Sequence, residues 1–398
     1  IMTGPLTVRP LSDDDADASR RLGWEAFGVP AQVPETPATL GGSGQYWYGA
    51  FDGDSLVGRV AVHTHSAYFG GRAVASAGIA GVTVAAEYRG RGLLTPLFAM
   101  ALGEARGRGV AVSGLYPTAT GIYRRFGYEV VGSLDNWAWP TESLAAVRVP
   151  DGVTIRRATT EDVPALWELY EAWAVEQNGP LSHRSVAFEE SPNDWLDEVT
   201  AVTVAVDGDD RPHGYVRWNR GRRYGPESKL EVYDLIADSA PVHQALLAAL
   251  GSFSTVTGTT EIMTSGLDHN RFLLPGGEPR LTEARPYMIA ILDLAGAVEP
   301  RAYPGFLNQE LELRVAGDRY GVIDGGYRIT VAGGKARCVR ADAATGPIFT
   351  PRGLALVYAG VASCADLRRL GLLTGPVEQD QLIDVVFAGR PFHIRDYY

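Results

Sequence analysis

The chain of 398 residues carries 47 acidic against 36 basic side chains, a net charge of −11, which argues against a nucleic-acid binder, since such a protein needs a basic face to neutralise phosphates. Hydrophobic residues at 45% and charged residues at 21% are ordinary globular values, and at about 150 residues per domain the length points to two or three cores. Two cysteines are too few for a disulfide framework or a cysteine-rich zinc site, and no apolar run is long enough to span a membrane.

Leu6–Pro10 reads as a strand, and Ser12-Asp13-Asp14-Asp15 as a helix start, with a capping hydroxyl and acids at the positive helix end. The helix continues from about Ala16 to Phe27. Gln45 to Phe51 and Ser55 to Thr64 read as strands around the turn Asp52-Gly53-Asp54; a third strand follows Gly70-Gly71 and a fourth runs from Ala75 to Val84. His63 and His65 share one face of a strand, but two ligands without a third are a poor metal site, so they read as structural and no metal is expected. After a Gly/Arg-rich loop come a helix from about Leu94 to Gly107, a strand from Val110 to Tyr116, a short helix over Gly121 to Phe126 and a strand after Gly127.

Near residue 153 the opening is echoed: strand Val153 to Ala158, then Thr159-Thr160-Glu161-Asp162 as a helix start. Val199 to Val206, Gly214 to Asn219 and Lys229 to Ile236 read as strands, and Val242 to Leu250 as a helix. No Arg/Gly loop precedes that helix, so this unit reads as a repeat that has lost the anion site. A third unit starts near Arg285, with strands Pro286 to Leu292, Leu311 to Val315, Tyr320 to Ile323, Tyr327 to Val331 and Ala336 to Val339. The turn signal Asp324-Gly325-Gly326 divides them. Helical stretches follow at Leu294 to Ala297, Thr350 to Tyr358, Cys364 to Leu370 and Pro376 to Phe387. The expected division is therefore 1–150, 151–284 and 285–398. Ile1 precedes Met2, which reads as the natural start; with no signal-peptide pattern, a cytoplasmic location is expected.

The informative stretch is Val82-Thr83-Val84-Ala85-Ala86-Glu87-Tyr88-Arg89-Gly90-Arg91-Gly92-Leu93-Leu94-Thr95. A strand ends in a glycine-rich turn that opens a helix, so clustered backbone N–H groups at the positive helix end can cradle a pyrophosphate. Gly90 and Gly92 permit unusual backbone angles, and Arg89 and Arg91 add charge. A P-loop would need Lys-Ser/Thr after the glycines, and a Rossmann turn would need GxGxxG; neither is present.

Residues Val82 to Leu94 resemble the coenzyme A-binding motif of the Gcn5-related N-acetyltransferase (GNAT) superfamily, Arg/Gln-x-x-Gly-x-Gly/Ala, with Leu94 replacing the last small residue. Together with Gly121-Ile122-Tyr123-Arg124-Arg125-Phe126-Gly127-Tyr128 and the three-unit plan, the whole chain is similar to the Eis (enhanced intracellular survival) acetyltransferases. The resemblance implies an α/β (α+β) fold of tandem GNAT-like domains with mixed central sheets, the first catalytic and the second degenerate, plus a sterol-carrier-protein-like α+β domain. It implies acetyl-coenzyme A as co-substrate, held by Val82, Thr83 and Val84 along the pantetheine arm, by Arg89, Gly90, Arg91, Gly92, Leu93, Leu94 and Thr95 at the pyrophosphate, and by Thr118 and Ala119. It implies Tyr123 as general acid and the terminal carboxylate of Tyr398 as general base. The family also implies a homo-hexamer.

These roles suit the chemistry. A phenol with pKa near ~10 can protonate a departing thiolate of similar basicity. A terminal carboxylate, with reference pKa ~3.5, is a weak base unless desolvated, and can equally hold the substrate ammonium while water carries the proton away. The Tyr-x-x-Phe-Gly-Tyr run also suits a core aromatic with a wet polar end. Phe392, Tyr397 and Tyr398 argue for a docked tail, because disordered tails are poor in aromatics. The expected function is acetyl transfer to amines of a polycation, by resemblance an aminoglycoside at several positions. The alternatives are a protein-lysine, small-amine or polyamine acetyltransferase, and a lipid-binding carrier on a degenerate acetyltransferase scaffold. Glu25, Glu35 and Asp396 are candidate acids for a cationic substrate.

Overall fold

Two sheets organise the computed structural model, which describes residues 6–30, 32, 38–222 and 224–398. Twelve of the described strands share one sheet: β1 (Leu6–Pro10), β2 (Gln45–Asp52), β3 (Ser55–Phe69), β4 (Arg72–Val84), β5 (Val112–Leu115), β6 (Glu129–Pro140), β7 (Thr154–Arg157), β8 (Ala201–Val206), β9 (Pro212–Arg220), β10 (Gly225–Ala237), β11 (Thr257–Ser265) and β12 (Arg280–Ile291). Their order is β1-β2-β3-β4-β5-β12-β6-β11-β10-β9-β8-β7. The first unit's last strand, β6, lies against β11 of the second unit, while β12 inserts between β5 and β6. The two units thus exchange strands at the centre and form one body. The expected boundary between residues 284 and 285 falls inside β12.

The echo between units is structural. Arg9 makes a two-pronged ion pair with Asp15, and Arg156 the same with Asp162. In each, the backbone N–H of the hydroxyl residue, Ser12 or Thr159, donates to that aspartate at 2.8 Å. Each unit also has one parallel pair, β4 with β5 and β10 with β11. In the first, the loop 85–93 leads into the helix Leu94–Gly107. That helix buries Leu97, Phe98, Ala101, Leu102 and Ala105, a one-face spacing, against Val60, Val62 and Ile79 of the sheet. Each large apolar side chain so buried contributes about 1.5–3 kcal/mol. Pro96 sits in the first turn, where its missing N–H costs nothing. In the second unit only Asp238 and Ser239 separate β10 from the helix Ala240–Gly251.

The third unit carries β13 (Gln309–Val315), β14 (Gly325–Ala332), β15 (Lys335–Arg340), β16 (Ile348–Phe349) and β17 (Leu373–Thr374), ordered β15-β14-β13-β16-β17. Its core runs on into the first unit, with Leu354, Ala355 and Tyr358 in one cluster with Phe69, Val74 and Leu134.

Three sequence expectations are corrected. The two strands expected after Gly70-Gly71 are one strand, β4, paired with β3 from Arg72 to Val84. Tyr320–Ile323 is a loop rather than a strand, because the Asp318 carboxylate accepts the amides of Val322 and Ile323. The last helix begins at Asp380 rather than Pro376, since the Arg368 guanidinium holds the carbonyls of Gly375 and Pro376 outside it.

Candidate active site

Strands β4 and β5 form a fork. They pair in parallel only over Ser76–Gly78 and Val112–Gly114. Just beyond, β4 carries one extra residue against β3, where Arg59 faces Thr83 but Ala61 faces Ala80, with Gly81 at φ 58°. Residues 79–84 therefore pair with β3 alone, and their other edge opens into the fork. Val82 and Val84 are half-buried there; Thr83 is buried, its hydroxyl donating to the Gly81 carbonyl. Such an open strand edge can pair with an extended, amide-bearing arm.

The loop Arg89–Thr95 follows. Gly90 and Gly92 have φ of 75° and 78°, in the left-handed region, and a Cβ at either would meet no atom within 4 Å. Among the described residues, the amides of Gly90, Arg91, Gly92 and Leu93 donate to no other backbone group. They lie at the positive end of a 14-residue helix, which makes an open anion cradle. Leu93 is buried as the loop's anchor, and Leu94 packs against the helix core, which accounts for leucine at that motif position. Arg89 donates to the Val84 carbonyl, and Arg91 lies over the Tyr88 ring. The third unit reaches this loop: Arg319 donates to the Thr95 hydroxyl at 3.0 Å and Tyr320 to its carbonyl at 2.8 Å. Thr118 and Ala119 are exposed just after β5, at the start of the helix Thr120–Arg124. An open strand edge followed by an open anion cradle fits a long pyrophosphate-bearing thioester.

Tyr123 lies on that short helix, 5% exposed, between Phe98 and Tyr128 with ring centroids 6.1 and 6.3 Å away. Its hydroxyl has no hydrogen-bond partner among the described residues, and burial raises its pKa. The phenol therefore stays protonated and free to donate. The neighbouring Tyr128 hydroxyl is already bonded to Ser113 at 2.7 Å.

The tail docks along the exchanged strands. Phe392 fills the space over Gly132 and Gly179, Ile394 is fully buried, the Asn178 N–H donates to the Pro391 carbonyl, and the His393 N–H donates to the Asn178 carbonyl. Arg395 donates to the Met263 carbonyl, and the Asp396 carbonyl accepts the Tyr116 hydroxyl at 2.7 Å. The Tyr398 ring then seats in the fork. A Cβ on Gly78 would lie 2.3 Å from it, and its hydroxyl bonds that of Tyr287 at 2.8 Å. Tyr287 in turn overlies Gly114, so the two glycines where β4 and β5 part are the floor of this seat. His63 and His65 flank the ring, with centroids 6.2 and 5.9 Å away, and burial holds both imidazoles below their usual pKa, His65 at about 4.

Tyr398 opens onto a cavity of ≈ 1250 Å³ between the tail and the second unit. Its walls carry Glu168, Glu171, Glu189, Glu190, Glu198, Asp234 and Asp396 against Arg184, Arg217 and Arg395, with Trp167, Tyr170, Phe188, Trp195 and Tyr233 between them. The cavity is thus strongly acidic and aromatic.

The acetyltransferase (GNAT) domain family matches residues 7–131 and a second acetyltransferase (GNAT) domain family matches 179–293; a sterol carrier protein domain matches 294–395. N-acetyltransferase Eis of Mycobacterium tuberculosis is 29% identical over 289 residues, 68% of this chain and 67% of that protein. This chain is a GNAT-type N-acetyltransferase that resembles Eis. An uncharacterized N-acetyltransferase of Streptomyces avermitilis is 29% identical over 332 residues, 76% of this chain and 75% of the relative. In structure, a GCN5-related N-acetyltransferase from Kribbella flavida superposes with a TM-score of 0.83 at 27% identity, covering 100% of this chain and 99% of that one. Eis1 from Mycobacterium abscessus shares the fold, with a TM-score of 0.76 at 21% identity and coverage of 99% and 100%. GNAT acetyltransferases use acetyl-coenzyme A as co-substrate.

In this Eis-like enzyme the residues expected from the sequence fall into two groups. Val82–Val84 and Arg89–Thr95 line one run of fork and loop, and Tyr398 seats at the point where the fork opens. Tyr128 links the two proposed catalytic tyrosines: its ring meets Tyr123, and it lies close enough to Tyr398 to act on it electrostatically. Asp396 lines the acidic cavity; Glu25, on the helix Ala16–Phe27, does not, and Glu35 lies outside the described residues. The sequence reading missed Tyr116, Tyr287 and the cavity walls. One signal was available for the last: six glutamates and three tryptophans crowd between residues 167 and 198.

Proposed function

We propose that the enzyme acetylates amines of a polycationic small molecule, of the aminoglycoside class, in the cavity beside Tyr398. The observation that carries this is the cavity lining, seven carboxylates against three guanidinium groups with aromatic faces between them. Such a surface attracts several ammonium groups at once and offers flat apolar contact to the rings that bear them. Its size suits a multi-ring amine, and several acids at different depths would admit more than one orientation, hence more than one acetylation site.

When bound, acetyl-coenzyme A supplies the acyl group as a thioester. Val82, Thr83 and Val84 would pair with its extended arm along the open edge of β4. The amides of Gly90–Leu93, with Arg89, Arg91, Leu94 and Thr95, would hold the pyrophosphate, and Thr118 and Ala119 would flank the arm from β5. Tyr123 would keep its proton until the thiolate departs and donate it then. The α-carboxyl group of Tyr398 would receive the substrate ammonium at the mouth of the fork.

The test is acetyl-coenzyme A consumption across a panel of aminoglycosides, linear polyamines, lysine peptides and monoamines. The proposal expects aminoglycosides to have the highest kcat/KM and to take up more than one acetyl group. Selective turnover of lysine peptides, with aminoglycosides inert, would replace it.

A further inference from the structure

A buried guanidinium is costly unless a carboxylate faces it. Arg59 of β3 is only 9% exposed, yet no carboxylate pairs with it among the described residues. Its one hydrogen bond among them runs from Nη1 to the Ser19 hydroxyl at 2.8 Å. Nε is buried without a partner, and so is the indole N–H of Trp47, whose ring centroid lies 4.8 Å from the guanidinium carbon. Burial lowers the Arg59 pKa to about 10, so the charge persists at neutral pH. The helix Ala16–Phe27 makes room for it: a Cβ on Gly23 would overlap Nη2.

Arg59 lines a cavity of ≈ 530 Å³ beside that helix. The described walls carry Arg20, Trp24, Phe27, Leu40 and Trp47, and no carboxylate. Arg20 pairs with Asp17 at 2.7 Å, so Arg59 is the wall cation that lacks an anion. The sign is opposite to that of the acidic cavity beside Tyr398, with which this one shares no described residue. A guanidinium with free N–H groups between aromatic faces suits a carboxylate on an apolar chain.

The placement identifies the molecule that would bring it. Arg59 faces Thr83 across β3 and β4, and its Nη2 would lie 3.8 Å from a Cβ on Gly81. The anion cradle follows Val84, so an arm laid from the cradle along Val84, Thr83 and Val82 runs back toward Gly81. Its acyl end then arrives at the bulge beside which Arg59 and Trp47 stand. The amine enters through a cavity whose acids would repel an anionic acceptor. The acyl chain of the thioester is what remains to carry the anion.

We propose that Arg59 selects the acyl donor by holding the distal carboxylate of a dicarboxylic acyl chain, such as succinyl, so that the enzyme also transfers acyl groups of that class. The step balances as it does for acetyl. The acyl C–S bond breaks and a C–N bond forms; the ammonium nitrogen loses two protons, one to the departing thiolate and one to solvent; the distal carboxylate is unchanged. The inference rests on the arm lying along β4, and not on which amine accepts.

The test compares succinyl-coenzyme A with butyryl-coenzyme A, a neutral donor of equal chain length, on wild type, Arg59→Met and Arg59→Lys. Calorimetry reads affinity without amine, and kcat/KM for the donor is read with any amine that supports acetyl transfer. In wild type, succinyl-coenzyme A should be preferred by about 10- to 100-fold in both, the size of a hydrogen bond to a charged group. Arg59→Met, checked for folding by its thermal transition, should erase the preference, and Arg59→Lys should keep part of it. Wild type that binds and uses succinyl-coenzyme A no better than butyryl-coenzyme A would overturn the inference without recourse to a variant. So would a donor preference unchanged in Arg59→Met while KM for a carboxylate-bearing amine rises, since the anion would then belong to the acceptor. Acetyl-coenzyme A that fails to bind folded wild type would overturn the reading of the arm, and this inference with it. A donor preference found with every aminoglycoside inert as acceptor would uphold the inference and overturn only the substrate class.

Discussion

Gly78→Ala tests whether the tail seat in the fork is part of the working enzyme. The new Cβ would lie 2.3, 2.6 and 2.9 Å from three carbons of the Tyr398 ring. Carbon atoms in contact settle near ~3.5–4.0 Å, so the ring must retreat by about 1.2 Å or more. That retreat strains the 2.8 Å bond to Tyr287 and drags the Tyr398 backbone with it. A misplacement of about 1 Å in a positioned group costs roughly 100-fold in rate. Global stability should fall by about 1–3 kcal/mol, the usual cost of overpacking. The assay is thiol release with a saturating amine, alongside thermal unfolding. Tyr398→Ala supplies the control: it removes the ring, so adding Gly78→Ala to it should cost little more, and the two substitutions should be strongly non-additive. A Gly78→Ala enzyme with wild-type kcat/KM, or additive losses in the double variant, would refute the seat.

Other predictions address separate parts of the site. Tyr123→Phe should lower kcat by about 100-fold or more with acetyl-coenzyme A affinity within twofold, read by stopped-flow and calorimetry. Gly92→Ala meets no atom, but forcing an L residue to φ 78° costs about 1–2 kcal/mol; calorimetry should record acetyl-coenzyme A binding weakened by about tenfold. Glu190→Gln should raise KM for a polycation by two- to fivefold at low salt, leave monoamine KM unchanged and flatten the salt dependence, as expected for removing one partly exposed charge. A residue appended after Tyr398 should impair turnover, and light scattering should find the hexamer that the Eis likeness implies.

The sequence was most informative where structure is local. The Ser12–Asp15 and Thr159–Asp162 helix starts, the helix Leu94–Gly107 and the Gly90/Gly92 turn rest on capping, spacing and glycine chemistry within a few residues of each other. The docking of Tyr398 could be expected from an aromatic-rich end, though not the groove that receives it. The pairing of β6 with β11 and β12 joins residues well over 100 positions apart, and nothing in either strand names its partner. β11 escaped notice for a local reason: in Thr257–Ser265 only Ile262 and Met263 are large and apolar, so no alternating hydrophobic pattern marks it. His183 carries no motif. Its bond to Asp396, on a tail 213 residues away, exists only in the fold.

The account stands most directly on amine-dependent release of coenzyme A thiol with an aminoglycoside as acceptor, followed by mass analysis of the acceptor. Acetylation at more than one amine, abolished in step with thiol release by Tyr123→Phe, is the predicted result. No amine-dependent thiol release with any aminoglycoside, from folded enzyme that binds acetyl-coenzyme A, would contradict it.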